Sequence, residues 1–405
     1  MNSPTDDKLV VETVVIGGGL AGLTAAVALA NADVSTVLVS TSPPPDNRTT
    51  ALLAGSVTAL DSLTVWPRCR EHAAPLRTMR IIDDRSGLLR APEVTFDAEE
   101  IGLEAFGYNL ENRHLTAGLD SRAAELGSLL RLEGSVQAIT IGQRAATVRL
   151  GDGRSIDARL VVGADGRNSI CRSAAGIGTE FRNYPQAALA LSLSHSRPHH
   201  STSTEFHTAT GPFTLVPLPG ARSSLVWVVD PARAEELVRL DDGALSEEIE
   251  QRSHSVVGKI MVEAGRGLFH LSMQNAHSFA ANRIALIGEA AHVIPPIGAQ
   301  GLNLGLRDAA TITELVIKAR RNRTDIGSPN LMARYDRLRR IDVQTRSAAV
   351  DLLNRSLLSD FLPLHGLHGL GLYLLQRIGP LRRTIMREGV TPRTGEPRLM
   401  RGEAL

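Results

Sequence analysis

The residues whose types and spacing can do chemistry fall in two stretches far apart in the 405-residue chain. The first is Gly17-Gly18-Gly19-Leu20-Ala21-Gly22, which satisfies a GxGxxG spacing at Gly17, Gly19 and Gly22. The second runs Gly288-Glu289-Ala290-Ala291-His292 and then Pro295-Pro296-Ile297-Gly298-Ala299-Gln300-Gly301-Leu302-Asn303. Glycine permits close backbone approach and positive φ, and paired prolines stiffen a loop. Five Gly or Pro residues in the eleven positions from Pro295 to Gly305 therefore shape a loop that presses on something flat or charged. A helix opening near Gly301 would aim free N–H groups and its positive dipole end at the occupant of that loop.

Both stretches need elements to hold them. Val10 to Ile16 is a β-branched run suited to a buried parallel strand, Leu20 to Asn31 is an Ala-rich helical stretch, and Ser35 to Val39 predicts a second strand. GxGxxG alone is weak evidence, but between a strand and a helix it is a dinucleotide fingerprint. Gly17 makes the tight turn, Gly19 admits a pyrophosphate and Gly22 lets the helix pack on the strand. The second strand of such a unit ordinarily ends in Asp or Glu for the ribose hydroxyls, yet position 40 is Ser. Ser40 offers one uncharged hydroxyl, and the acidic cue that would separate NAD from FAD is missing.

Further along, Arg48 follows the loop Thr41 to Asn47, either as a solvated charge or as a bidentate contact to phosphate or ribose. Arg113 opens a helix expected from Asn112 to about Leu126, where a cation opposes the dipole, so a phosphate contact is the favoured account. Residues 78–97 read as a hairpin turning near Arg85-Ser86-Gly87. Leu129 to Leu132, Val136 to Ile141 and Ala146 to Leu150 read as short strands, with a hairpin turn at Gly151-Asp152-Gly153. Val136 is counted with the cofactor residues. Arg159 to Gly163 is another buried strand, entering Ala164-Asp165-Gly166. Asp165 is then either a plain Asx-turn residue or a ligand at a strand's carboxyl end.

Composition changes in the middle. Ala187 to Ser194 alternates like a strand, Phe213 to Leu218 and Ser223 to Val229 form a hairpin around Pro219-Gly220, and Gly243 to Ile260 predicts a helix. His195, His199 and His200 have no metal-ligand spacing and read as solvated loop histidines. A nucleotide domain interrupted by such a sheet places a pocket between the two. The 43% hydrophobic and 21% charged content suits a globular protein. A net charge of +1 and 3% aromatic residues give no case for nucleic acid. Two cysteines without CxxC spacing fit a reducing compartment, and residues 1–8 lack a signal-peptide apolar run.

With these motifs in order, the chain resembles the single-component FAD monooxygenases of the para-hydroxybenzoate hydroxylase fold. Within them it is most similar to the ubiquinone-biosynthesis hydroxylases, the UbiH/UbiF/Coq-type family. The narrower resemblance is carried by Arg48-Thr-Thr-Ala-Leu52, Phe106-Gly-Tyr-Asn-Leu-Glu-Asn-Arg113, Gly211-Pro-Phe-Thr-Leu-Val-Pro217, Gln300-Gly-Leu-Asn-Leu-Gly-Leu-Arg-Asp308 and Met386-Arg-Glu-Gly389. It implies an α/β fold in which an FAD-binding Rossmann-like domain (residues 1–75, 101–180 and 281–350) is interleaved with an antiparallel-sheet substrate domain (76–100 and 181–280), followed by C-terminal helices (351–405).

The resemblance further implies FAD as cofactor, O₂ as co-substrate, NAD(P)H or another reductant as electron source, and ring hydroxylation of a polyprenylated phenol or quinol through a C4a-hydroperoxyflavin. Gly17, Gly19 and Gly22 would serve the pyrophosphate, Arg48 and Arg113 the cofactor, and Glu289, beside Gly288, a ribityl hydroxyl. Gly298, Gly301, Leu302 and Asn303 would lie against the flavin ring, with Pro295 and Pro296 shaping its reacting face. Glu289 departs from the family's Asp by one methylene, as Ser40 departs from its Glu. No acid or base is obligatory for oxygen transfer, so His292 and His207 are candidates by type alone. The expected partners are the prenylated substrate and either other quinone-synthesis proteins or further copies of the chain. The expected location is the cytoplasm, with a peripheral seat on the inner membrane face left open by the Leu- and Arg-rich stretch Leu352 to Ile385. Two other readings stand beside this one: a hydroxylase of a small soluble phenol, and a non-catalytic flavoprotein or scaffold.

Overall fold

The computed structural model describes residues 8–41, 46–85, 92–296, 298–358, 379–390 and 396–403. The chain begins β1 (Lys8–Ile16), α1 (Leu20–Asn31), β2 (Thr36–Ser40), β3 (Thr49–Leu53), α2 (Ala54–Ser62), β4 (Ala73–Pro75), β5 (Thr78–Asp83), β6 (Val94–Asp97), β7 (Gly107–Glu111) and α3 (Asn112–Ala123). It continues with β8 (Leu129–Glu133), β9 (Val136–Ile141), β10 (Ala146–Leu150), β11 (Ser155–Gly163), α4 (Ile170–Ala174), β12 (Thr179–His195), β13 (Thr202–Thr208), β14 (Gly211–Leu218), β15 (Arg222–Val229), α5 (Pro231–Arg239) and α6 (Asp242–Arg252). The last elements are β16 (Ile260–Val262), β17 (Gly267–Ala276), β18 (Ala280–Ala281), β19 (Ile284–Leu286), β20 (His292–Val293), α7 (Gln300–Arg321), α8 (Pro329–Leu358) and α9 (Gly379–Val390).

Two large sheets result. In the first, the path β18-β19-β11-β1-β2-β8 is extended by β10 and β9 on β11. β19, β11, β1, β2 and β8 pair in parallel, so their carboxyl ends share one edge. Val14, Val15, Val37, Leu38, Val161 and Val162 are fully buried, with both faces of these strands covered, which is why they read as continuous apolar runs. The second sheet runs β20-β17-β12-β15-β14-β13-β5-β6, with β16 on β12. It is antiparallel except for β13 and β5, which pair in parallel from Thr202↔Thr78 to His207↔Asp83. That pair is possible because 118 residues of intervening chain (84 to 201) bring β13 back alongside. A small third sheet, β3-β7-β4, bridges the two.

The middle of the chain corrects two expectations. The helix expected to reach Ile260 ends at Arg252, because His254 and Ser255 both take φ near +50° and turn the chain into β16. His195 is not a solvated loop residue. It is buried at the end of β12, between the Arg197 carbonyl (2.8 Å) and the Ser223 hydroxyl (3.1 Å). The Phe213–Val229 hairpin turns at Gly220, at φ +79°. The far end of the β5–β6 hairpin, including Ser86 and Gly87, lies outside the described residues, as does most of the Leu352–Ile385 stretch. No helix among the described residues is long and apolar enough to cross a membrane.

Candidate cofactor site

The shared carboxyl edge of β1, β2, β8, β11 and β19 gathers most of the singled-out residues. β1 runs into Gly17, whose amide bonds the Val39 carbonyl at 2.9 Å, while the Ala164 amide bonds the Ile16 carbonyl at 2.7 Å. Gly17 sits at φ +115°, and a Cβ there would stand 2.1 Å from the Ala164 oxygen. A Cβ on Gly22 would meet the Gly17 oxygen at 2.0 Å, so α1 can lie this close to the turn only with glycine there. Gly18 was not foreseen. A side chain on it would collide with Ser40 Cβ at 2.6 Å, so Ser40 stands directly against the turn. On the other side of Ser40, its carbonyl accepts from Gly134 N at 3.0 Å, two residues before Val136.

This turn fits a pyrophosphate. Gly19 is the N-cap of α1, with no side-chain cap and no acidic residue in the first turn, and a Cβ on Gly19 meets nothing within 4 Å. Free amides, an unopposed dipole and open space are what an anion at a helix amino end requires.

Arg48 and Arg113 are brought together by Asn112, which sequence reasoning passed over. Its amide donates to the Arg48 carbonyl (2.8 Å), its Nδ2 to Asp46 Oδ2 (2.8 Å), and its Oδ1 accepts from Thr50 Oγ1 (2.5 Å). The Arg48 guanidinium pairs with Asp46 and that of Arg113 with Glu111 (2.7 Å), both side chains remaining more than half exposed. Burial acts to raise the Asp46 carboxyl, but hydrogen bonds from Arg48 and Asn112 outweigh it and hold it at about 2. The Asp46 hydrogen bond raises the Arg48 guanidinium against the effect of its own burial, and the charge on Glu289 adds to the rise.

Glu289 lies in a single helical turn, Gly288–Ala290, after β19. Its half-exposed carboxylate accepts from Arg167 Nε at 3.2 Å. Arg167 belongs to the Asp165-Gly166 turn, so the two acidic turns are tied rim to rim. Asp165 itself is consumed internally. Ser169 Oγ donates to its Oδ1 (2.6 Å) and Cys171 N to its Oδ2 (3.0 Å), which fastens the turn to α4. Gly288 takes φ +57°, and a Cβ on Gly288 or Gly305 would approach Ala21 Cβ to 3.2 or 3.1 Å, so this turn, α1 and α7 meet at one crowded point.

The loop Pro295, Pro296, Gly298 then enters α7. Ala299 is the N-cap at φ +55° with no side-chain cap, and a Cβ on Gly301 meets nothing within 4 Å, so a second uncapped helix start opens toward free space. Leu302 packs partly buried on the first core. Asn303 is buried with every polar atom used. Its Nδ2 donates to the Ala51 and Ala299 carbonyls (2.9 and 2.6 Å), and its Oδ1 accepts from Leu53 N (2.9 Å) and Ser56 Oγ (2.7 Å). The side chain clamps the helix start to β3 and α2, leaving only its backbone amide for a ligand.

Beneath the edge lies a charged network that the sequence did not reveal. Asp308, fully buried in α7, accepts from Gly288 N (2.9 Å), His292 Nε2 (2.7 Å) and Arg339 Nε (2.6 Å). Burial alone would raise its carboxyl, but Arg339 and His292 more than offset that and hold it below the usual carboxylate range. His292 is therefore a packed support for the Gly288 turn. The available signal was the i, i+3 and i+7 spacing of Arg339, Asp342 and Arg346, which puts all three on one face of α8.

A parallel-sheet edge with two uncapped helix starts, interleaved with a second sheet, is the architecture of a dinucleotide-binding protein. The FAD binding domain family matches residues 10–347. The ubiquinone hydroxylase UbiL of Rhodospirillum rubrum is 34% identical to this chain, over 98% of the chain and 94% of that protein. The 3-demethoxyubiquinol 3-hydroxylase of Escherichia coli is 31% identical, over 95% and 98%. The crystal structure of p-nitrophenol 4-monooxygenase PnpA from Pseudomonas putida shares the fold, with a TM-score of 0.78 at 18% identity over 95% of this chain and 99% of that one. The chain belongs to the FAD-dependent monooxygenases, in the family of ubiquinone-biosynthesis hydroxylases.

Proposed function

We propose that the protein hydroxylates the aromatic ring of a polyprenylated phenol or benzoquinol in ubiquinone biosynthesis, using FAD, O₂ and either NAD(P)H or another reductant. The observation that carries this reading is the near full-length identity to a ubiquinone hydroxylase, 34% over 98% of the chain. Bound FAD, once reduced, supplies the activation of O₂. The chain supplies the rest. The α1 start with Gly17, Gly19 and Gly22 holds the pyrophosphate. Ser40 and Val136 border the adenosine side of the edge, Arg48 and Arg113 contact the cofactor, and Asp165 fixes the turn that carries Arg167. Glu289 accepts from the ribityl chain, and the Gly301, Leu302 and Asn303 amides stabilise negative charge on the ring. Pro295, Pro296 and Gly298 border the reacting face and help exclude water. Segments 1–75, 101–180 and 281–350 serve the cofactor, and 76–100 and 181–280 serve the substrate. Quinones extracted from cells lacking the gene should contain a prenylated phenol one hydroxyl short; normal quinone with no new intermediate overturns the assignment.

A prenylated substrate lives in a bilayer, so we also propose peripheral attachment through the 351–405 region. Liposome flotation that finds no binding, with or without residues 356–405, removes that proposal. The scaffold reading draws on two observations: Ser40 carries no charge, and the Glu289 carboxylate is already paired with Arg167. A purified protein that is colourless and takes up no added FAD, yet supports quinone synthesis, would establish it.

A further inference from the structure

Behind the amino end of α7 lies a group of buried cations to which the cofactor roles above give no part. Asp342 accepts from Arg307 Nε (3.0 Å), Arg339 Nη1 (2.6 Å) and Arg346 Nε (3.1 Å). With Asp308, that makes two carboxylates against three guanidinium groups. Glu396 approaches only to 3.7 Å of Arg307, and its Oε1 is buried with no hydrogen-bond partner among the described residues. Burial pushes the Glu396 carboxyl up, and it pushes the Arg307 guanidinium down, with Arg339 and Arg346 acting in the same direction on Arg307. Within this cluster the Arg346 charge is screened far less than it would be at the surface.

That charge is directed at one place. Arg346 Nη1 donates to Oε1 of Gln300, the first residue of α7, at 3.1 Å, and Gln300 Nε2 donates to the Gly298 carbonyl at 2.9 Å. Arg307 and Arg346 line a small cleft at this helix start together with Ser56, Gln300 and Asn303. The Arg346 side chain is 13% exposed.

We propose that Arg346 is a positioning residue for the flavin reaction: it fixes Gln300 and the Gly298 turn, and its charge adds to the α7 dipole to favour the reduced, negatively charged ring. This rests on placing the flavin ring at the α7 start. A unit charge at about 10 Å in an effective dielectric of about 20 changes an equilibrium by roughly tenfold. The test is made on full-length holoenzyme, measuring the FAD dissociation constant by fluorescence and the two-electron midpoint potential by dye equilibration. Arg346→Gln should bind reduced FAD about tenfold less well relative to oxidised FAD, a potential lower by about 30 mV. Arg346→Lys, which keeps the charge, should hold the wild-type potential within about 10 mV. If Arg346→Gln is insoluble, Arg346→Met supplies the uncharged side chain. FAD-loaded Arg346→Gln at the wild-type potential overturns the proposal, as does an Arg346→Lys shifted as far as Arg346→Gln. A wild-type chain that binds no FAD overturns instead the placement on which the proposal rests.

Discussion

Replacing Asp308 with Asn keeps its shape and removes its charge, which isolates what the buried network contributes. In the native protein Asp308 accepts three hydrogen bonds, from Gly288 N, His292 Nε2 and Arg339 Nε, and is fully buried. An amide at this position turns an NH₂ toward at least one of those donors and leaves Arg339 with Asp342 alone. Removing one partner of a buried ion pair costs about 3–5 kcal/mol. We expect a loss of about 4 kcal/mol in urea unfolding, followed through the tryptophans. Trp66 and Trp227 lie in separate cores, so they also test whether both parts lose stability together. The sign with pH follows from the depressed carboxyl. A group with a lowered folded pKa stabilises fully above its unfolded value of about 3.9 and loses that contribution as pH falls through the folded pKa. The gap between wild type and Asp308→Asn should accordingly be constant at neutral pH and narrow in acid. The double variant Asp308→Asn/Arg339→Met should recover part of the loss, since it removes the orphaned cation. A loss below about 1 kcal/mol at pH 7 would refute the view that this network carries the site.

Gly17→Ala should abolish FAD retention in purified protein, because the new Cβ meets a backbone oxygen at 2.1 Å and the residue needs φ +115°; a yellow, FAD-loaded variant would contradict the turn geometry. Ser40→Glu should tighten FAD binding about tenfold in a fluorescence titration, since hydrogen bonds to a charged acceptor contribute about 1.5–3 kcal/mol. Arg167→Met should change unfolding stability by less than about 1 kcal/mol, as an exposed pair does, and should weaken FAD binding by releasing Glu289. Burial raises the Cys69 thiol to about 11 and pushes Cys171 well above its ordinary value. Neither should react with a thiol reagent at pH 8 until denaturant is added.

Much of the fold was legible because it is written in local signals. The Leu20–Asn31 helix has the bounds expected of it, and the strand on each side lies within two residues of its expected ends. Motif glycines were equally plain: Gly17 and Gly22 answer close backbone contacts, and Gly19 and Gly301 leave open space at a helix start. What escaped was whatever depends on chain returning from a distance. Asn112 matters because Asp46 and Thr50 come beside it, and Asn303 because β3 comes within reach of α7. The spacing of Arg339, Asp342 and Arg346 marks one face of α8 but does not name its partner, since Asp308 looks from the sequence like an ordinary helical charge. The overrun of the predicted helix to Ile260 has the same root: nothing local announces that His254 and Ser255 both turn left-handed.

Ser40 and Glu289 both depart from the family pattern, and the structure bears differently on each. At Ser40 the loss is chemical, one charge fewer, because the residue still stands against the Gly18 turn and keeps its place in the edge through Gly134. At Glu289 the charge is kept, and the carboxylate accepts from Arg167 across the rim. That contact fixes a side chain that would otherwise sample several rotamers, an entropy a ligand would have to overcome, but it also holds one oxygen toward protein. On the proposed placement of FAD, the main holding force comes from groups neither substitution touches: the uncapped amides at Gly19 and at the α7 start, whose positions are set by Gly17 and by the Asn303 clamp. Because backbone amides cannot be mutated away one charge at a time, affinity in this protein should respond more to changes at those two supports than to restoring the acidic side chains.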